Sequence, residues 1–185
     1  MIIGRYNEKK PPVKGKNLNI RVALFFDGTA NNRYNVLEAD RNISVGNLYD
    51  LLRLQHGSYR LQQSNVARMA ELYRTGDIDG YEVKVFYVEG VATSPRQVVY
   101  KEGGFDSLLG SATGMGRWGI LACAKRGYRM ILRMLRDLQG RYSLRTKVTI
   151  ENLRLDLFGF SRGAAAARVF CNKLQDDYVK FKGES

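Results

Sequence analysis

Gly159-Phe160-Ser161-Arg162-Gly163 constrains this chain more than any other stretch, because of what stands on either side of it. Upstream, Leu153, Leu155 and Leu157 alternate and close on Phe158, which is the period of a strand. Downstream, the alanine-dense run from Arg162 to Leu174 predicts a helix. Ser161 therefore falls on the turn between them. A G-x-S-x-G nucleophile elbow has that context: it lifts a serine hydroxyl above the carboxyl edge of a sheet and directs a helix N-terminus at it. Gly159 and Gly163 fit, since a Cβ at either place would meet opposing backbone, and the four alanines that follow let the helix lie close on the sheet. The competing reading is a glycine-rich turn whose serine only caps the helix.

The rest of the chain supplies what such a turn needs. An apolar run from Leu18 to Phe26 predicts a buried strand that ends on Asp27-Gly28-Thr29, a turn signal at a carboxyl edge. Glu82 to Val88 predicts a second strand, and Lys147 to Ile150 a short strand or hairpin arm ahead of the strand that carries the elbow. Helices are predicted from about Val45 to His56 and from Ser64 to Tyr73, the latter with Ser64 as cap and Val66, Met69, Ala70 and Tyr73 on one face. The clearest helix runs from Trp118 to Leu138 and ends at Gly140. Ile120, Leu121, Ala124, Tyr128, Ile131, Leu132, Leu135 and Leu138 recur on one of its faces, and Lys125, Arg126, Arg129, Arg133 and Arg136 on another. The expectation is an α/β fold with a mainly parallel sheet and flanking helices, preceded by a basic flexible tail over residues 1–17.

Composition narrows the function classes. With 185 residues and 44% hydrophobic content the chain can build one domain with a real core, and it has no apolar run of membrane-spanning length. Its polar, basic start lacks the apolar region of a signal peptide. Cys123 and Cys171 lie far apart with no C-x-x-C pair and read as buried thiols, and a single histidine, His56, leaves no zinc cluster, so no metal is expected. A net charge of +12 would suit nucleic acid, an anionic lipid surface or a solvated exterior. No recognition-helix pattern, zinc spacing or RNP-like strand accompanies the dispersed Lys and Arg, which excludes a nucleic-acid module. Gly114-x-Gly116-x-x-Gly119 has the form of a dinucleotide fingerprint but lacks the strand before it and the acid after the next strand, so it reads as a loop and no cofactor is expected.

Five segments carry a family resemblance: LFFDGTANN from Leu24, SNVARMAELY from Ser64, VFYVEGVAT from Val85, GSATGMGRWG from Gly110 and FGFSRGAAAAR from Phe158. On these the chain resembles the α/β-hydrolase domain family that forms the catalytic domain of type VI secretion phospholipase effectors. The resemblance implies a serine lipid esterase that hydrolyses phospholipid acyl esters through an acyl-serine, with Ser161 as nucleophile. The oxyanion donors it implies are the Arg162 N–H and the Gly28 and Thr29 region, with Asp27 lining the site. A phosphatase-like reading of the D-G-T turn loses its nucleophile, since Phe25 stands where the first aspartate would be. The Arg162 side chain, a cation in a first helical turn, is read as paired with Asp156 or another acid, or as orienting a substrate phosphate. Implied partners are phospholipid or a membrane surface and a secretion-apparatus or immunity protein, for a protein made in the bacterial cytoplasm and delivered by type VI secretion.

A hydroxyl needs a base and the base needs an orienting acid. Only 24 residues follow Ser161; they include Asp176, Asp177 and Glu184 but no histidine. His56 precedes the serine, against the Ser, acid, His order of α/β-hydrolases. Residues 18–185 are therefore expected to form a partial catalytic domain, its N-terminal half: a fragment, a chain completed by another, or a degenerate copy. A different class stays open, a catalytically silent basic module that binds an anionic membrane or a protein partner.

Overall fold

The computed structural model describes residues 14–41, 57–93, 119–141 and 146–183. Strands β1 (Lys14–Phe26), β2 (Gly76–Ile78), β3 (Tyr81–Val88) and β4 (Thr146–Gly159) form one sheet in the order β2-β3-β1-β4. β1 is parallel to both β3 and β4, while β2 pairs antiparallel with β3 in a tight hairpin turned by Asp79 and Gly80, both at positive φ. Helices α1 (Arg33–Arg41) and α2 (Asn65–Leu72), with a 3-10 turn at Gly57–Arg60 between them, precede the hairpin; α3 (Ile120–Arg141) precedes β4, and α4 (Arg162–Gly183) follows it. The fold is α/β with a mainly parallel sheet, as the sequence led one to expect.

β1 reads as an almost unbroken apolar run because it is covered on both sides. Ile20, Val22, Leu24 and Phe26 face α3 and α4, packing with Cys123, Ala124, Ile131, Leu138, Ala166 and Phe170. Ala23 and Phe25 face the other way, against Val66, Ala67 and Ala70 of α2 and Tyr87 of β3. Phe25 stacks on Phe158 at 4.5 Å between ring centroids and meets Tyr73 edge-on, so the second layer is pinned by aromatic contacts. α3 and α4 are tied to each other by the Tyr128 hydroxyl, which donates to Asp177 at 3.0 Å.

Several expectations change. β1 begins at Lys14, so residues 14–17, read as tail, are strand and pair with Thr146–Thr149. The arm at Lys147 and the elbow strand are one strand, continuous through a bulge: Leu18 pairs with Ile150 and Asn19 with Asn152, leaving Glu151 as the extra residue. α1 and β2 carried too little apolar periodicity to be foreseen, and α3 runs one residue past Gly140. On α2 the small Ala67 lies under the helix while Met69 is 46% exposed, and on α3 Leu121 is 62% exposed. Arg126 leaves the basic stripe altogether and is buried. Cys171 is exposed rather than buried. The helix expected from Val45 to His56, His56 itself, and Gly114 and Gly116 lie outside the described residues.

Candidate active site

Strand register builds the site. Phe26 pairs with Val88 on one side and with Gly159 on the other, so three parallel strands end level and their exits converge at one edge. The ladder continues one step into the loops, with the Asp27 N–H donating to Val88 O at 3.0 Å and the Phe160 N–H to Phe26 O at 3.2 Å.

Only Phe160 and Ser161 separate β4 from α4, and Ser161 is exposed, with φ of +54°. A residue with a Cβ occupies that left-handed region at a cost of about 1–2 kcal/mol. The turn is closed by the Gly163 N–H on Phe160 O at 2.8 Å and the Ala164 N–H on Ser161 O at 3.0 Å, so α4 begins at once. It begins hard against the sheet: a Cβ on Gly163 would lie 2.3 Å from Phe26 O and 2.4 Å from Asp27 O, and one on Gly159 would lie 2.7 Å from Ala164 Cα. Both glycines of the pentapeptide thus have a steric cause.

The turn after β1 is held by Asp27, which is 1% exposed. Its carboxylate accepts from the Gly28 N–H at 2.7 Å, the Ser64 hydroxyl at 2.6 Å and the Tyr87 hydroxyl at 2.6 Å. Ser64 Oγ also accepts from the Ala67 N–H and so caps α2, while Tyr87 Oη accepts from the N–H of Arg33, the first residue of α1. One buried carboxylate therefore fixes the D-G-T turn and the first turns of two helices. Asp27, expected to line the site, lies beneath it instead. Burial first, then the charge and hydrogen bond of Asp27, push the Tyr87 phenol far above its ordinary range.

Gly28, expected as an oxyanion donor, has its N–H turned onto Asp27. The N–H groups of Ala30 and Asn31 are also engaged, by Val91 O and Gly28 O. Thr29 is different: its Oγ1 is buried and has no hydrogen-bond partner. The turn touches the elbow through Gly28, where a Cβ would meet the ring of Phe160 at 2.6 Å.

The exit of β3 braces the same turn. A Cβ on Gly90 would sit 1.8 Å from Gly28 O, and the Gly90 N–H donates to Asn31 O at 2.9 Å. Glu89, 6% exposed, faces Arg126 of α3 at 3.6 Å, and Arg126 also donates to the Glu89 carbonyl at 2.8 Å. Neither this pair nor the Asp27 hub was foreseen. A residue type read along one chain segment does not show which distant carboxylate it will meet, although Asn32, whose Oδ1 accepts from the N–H groups of Tyr34 and Asn35, is a helix-start signal that could have announced α1.

Two further acids, Asp156 and Asp177, are occupied. Asp156 accepts from Tyr73 at 2.7 Å and pairs with Arg21 and Arg154; burial pushes its carboxyl up, but these hydrogen bonds and charges outweigh it and hold it below the usual range. Asp177 is taken by Tyr128 and Lys173, about 22 Å along α4 from its start.

The family model for the type VI secretion system phospholipase effector Tle1-like catalytic domain matches residues 21–176. The chain belongs to that family. Among solved structures, the Tle1 effector bound to the VgrG spike of the type VI secretion system is similar, with a TM-score of 0.51 and 23% identity over 95% of this chain. That likeness bears on the fold, and this Tle1-like chain spans 35% of the length of that one. No curated protein matches. No described helix is long and apolar enough to cross a membrane.

Proposed function

We propose that this Tle1-like domain is the nucleophile-bearing part of a serine phospholipase, and that Ser161 attacks acyl esters of phospholipids. Ser161 Oγ bonds to the ester carbonyl carbon as its proton passes to a base, and the carbonyl π electrons move onto oxygen. The oxyanion is received by the Arg162 N–H at the start of α4 and by Thr29 in the turn after β1. Collapse breaks the ester C–O bond, the departing lysophospholipid oxygen takes the proton, and water then releases the fatty acid from the acyl-serine.

One observation carries this reading: a serine with φ of +54°, exposed on a strand-to-helix turn so tight that Gly163 has no room for a Cβ. A cap needs no such strain, since capping residues take ordinary extended conformations, as Ser64 does at φ of −67°. Phe160, 59% exposed beside Ser161, offers an apolar lip to an acyl chain. The acid and base are proposed to come from beyond these 185 residues, in a longer chain or a second one. Among the described residues β4 closes one end of the sheet, with Ile150 and Leu153 partly exposed, so a further strand has an edge to join. Delivery by the type VI apparatus, through contact with a spike of the VgrG kind, belongs to the same proposal.

The test is labelling of the full-length gene product with a fluorophosphonate probe, together with fatty-acid release from phosphatidylglycerol vesicles. The expected result is labelling and release that both vanish in Ser161→Ala. Equal labelling of the variant would refute the reading, and vesicle binding without release would favour a silent basic module.

A further inference from the structure

A groove of about 490 Å³ opens between β3 and α3, away from the elbow. It exists because β2 pairs only with Tyr81, Glu82 and Val83, so among the described residues the later part of β3 has no outer neighbour. Lys84 and Phe86 of β3 line it, with Met130, Arg133, Met134 and Asp137 of α3. A space of that size holds a small ligand. Its floor is apolar: Met134 is part of the main core, and Phe86 and Met130 pack against it half-buried. Thioether side chains fit themselves to irregular apolar chains. Lys84 lies four residues before Val88, so the groove stands about 13 Å below the level at which the parallel strands end.

The rim carries two cations and one anion, and most of their bonding capacity is unspent. Lys84 meets Glu82 at 2.8 Å, which leaves donors of its ammonium group over. The side chains of Arg133 and Asp137, one turn apart on α3, make no ion pair or hydrogen bond with any described residue. We infer that the groove is a second lipid site, for a phospholipid whose head carries both a phosphate and a primary ammonium, as in phosphatidylethanolamine. The phosphate sits between Arg133 and Lys84, since the guanidinium fork matches phosphate oxygens and the ammonium adds a point charge. The head-group ammonium sits at Asp137, and the first part of one acyl chain lies on Phe86, Met130 and Met134. Each charge on the rim then has a counterpart. A phosphatidylglycerol head would leave Asp137 beside an anion with no cation to meet it, and a water-soluble phosphate ester would leave the apolar floor uncovered. Arg133 is exposed on the same face as Lys125, Arg129 and Arg136, so the groove opens beside the basic side of α3. This site goes beyond the acyl-serine reading and does not depend on it.

Ether-linked lysophospholipids, which no esterase can cleave, test it by calorimetry on the full-length protein, with ethanolamine and glycerol heads on the same alkyl chain. The ethanolamine lipid is expected to bind about tenfold more tightly than the glycerol one. Asp137→Asn should erase that preference without weakening the glycerol lipid, and Arg133→Gln should weaken both about tenfold. Both side chains are exposed, so the melting temperature should stay level, as should turnover of a soluble p-nitrophenyl ester. Equal affinity for the two heads in the parent protein would overturn the inference, as would a preference that survives Asp137→Asn. Displacement of the ethanolamine lipid by dodecyl maltoside at the same concentration would overturn it too, by showing an apolar surface that ignores the head. Loss of ester turnover in Ser161→Ala reports on the nucleophile alone, so either reading can fail while the other stands.

Discussion

Ser161 combines two properties that oppose each other: a hydroxyl held in the open and a backbone in a region that suits glycine. Comparing two substitutions separates them. Ser161→Ala and Ser161→Gly both delete the hydroxyl, but only the second relieves the strain, so Ser161→Gly is expected to unfold at higher urea concentration, by about 1 kcal/mol relative to Ser161→Ala. Identical stabilities would mean the turn is not strained. Gly163 presents the reverse case. Its absent side chain is the reason α4 can start against Phe26 O and Asp27 O, and both obstacles are main chain that cannot swing aside. Gly163→Ala is expected to cost about 2–3 kcal/mol in urea unfolding, because α4 must move off the sheet. These two residues were legible in advance because the pentapeptide states its own steric demands. Thr29 was legible as a position but not as a side chain, since nothing in D-G-T says that its hydroxyl will be left without a partner.

At the scale of elements, the loops at the candidate site are braced from helices on both faces of the sheet. Tyr87, on β3, joins Asp27 to the start of α1, and the fold keeps its phenol neutral. The unfolded chain ionises that phenol near about pH 10, so the stabilisation is complete below that pH and declines as the pH rises through it. Tyr73 and Tyr128 act in the same direction, Tyr73 chiefly through burial and Tyr128 chiefly through its bond to Asp177. Urea midpoints at about pH 8 and about pH 11 should therefore fall steeply for the parent and less steeply for Tyr87→Phe, which has one fewer phenol to ionise. The Arg126 and Glu89 pair braces the other exit. Arg126→Met alone would leave a buried carboxylate unpaired and cost about 3–5 kcal/mol, whereas Glu89→Gln with Arg126→Met should recover much of it, and urea unfolding of the two variants measures the difference. Strands β1, β3 and β4 and helices α2, α3 and α4 could be read from period and turn signals because burial writes itself into apolar spacing. Arg126 could not, because it sits three residues from the buried Cys123, on the border of the apolar face, where an Arg can lie either way until a carboxylate such as Glu89 is brought opposite.

Over the whole molecule, charge and layering assign different work to the two sides of the sheet. α1 and α2 are tied to the site through Asp27, while α3 lies on the opposite face and turns Lys125, Arg129, Arg133 and Arg136 to solvent. Those four side chains are a concentrated share of a net charge of +12. A protein proposed to act on phospholipid gains from being held at an anionic surface, where each basic residue near the head groups contributes about 1 kcal/mol and salt screens the attraction within about 10 Å. Replacing all four with Gln should leave the fold intact, because each is exposed and the apolar face of α3 is untouched. Sedimentation with phosphatidylglycerol vesicles at low salt is then expected to show binding at least tenfold weaker, with a shallower dependence on salt, while turnover of a soluble ester by the full-length protein stays level. Binding that survives both the substitutions and added salt would place the membrane contact elsewhere, on apolar side chains such as Phe160 at the carboxyl edge, and would make the basic face of α3 a solvated exterior.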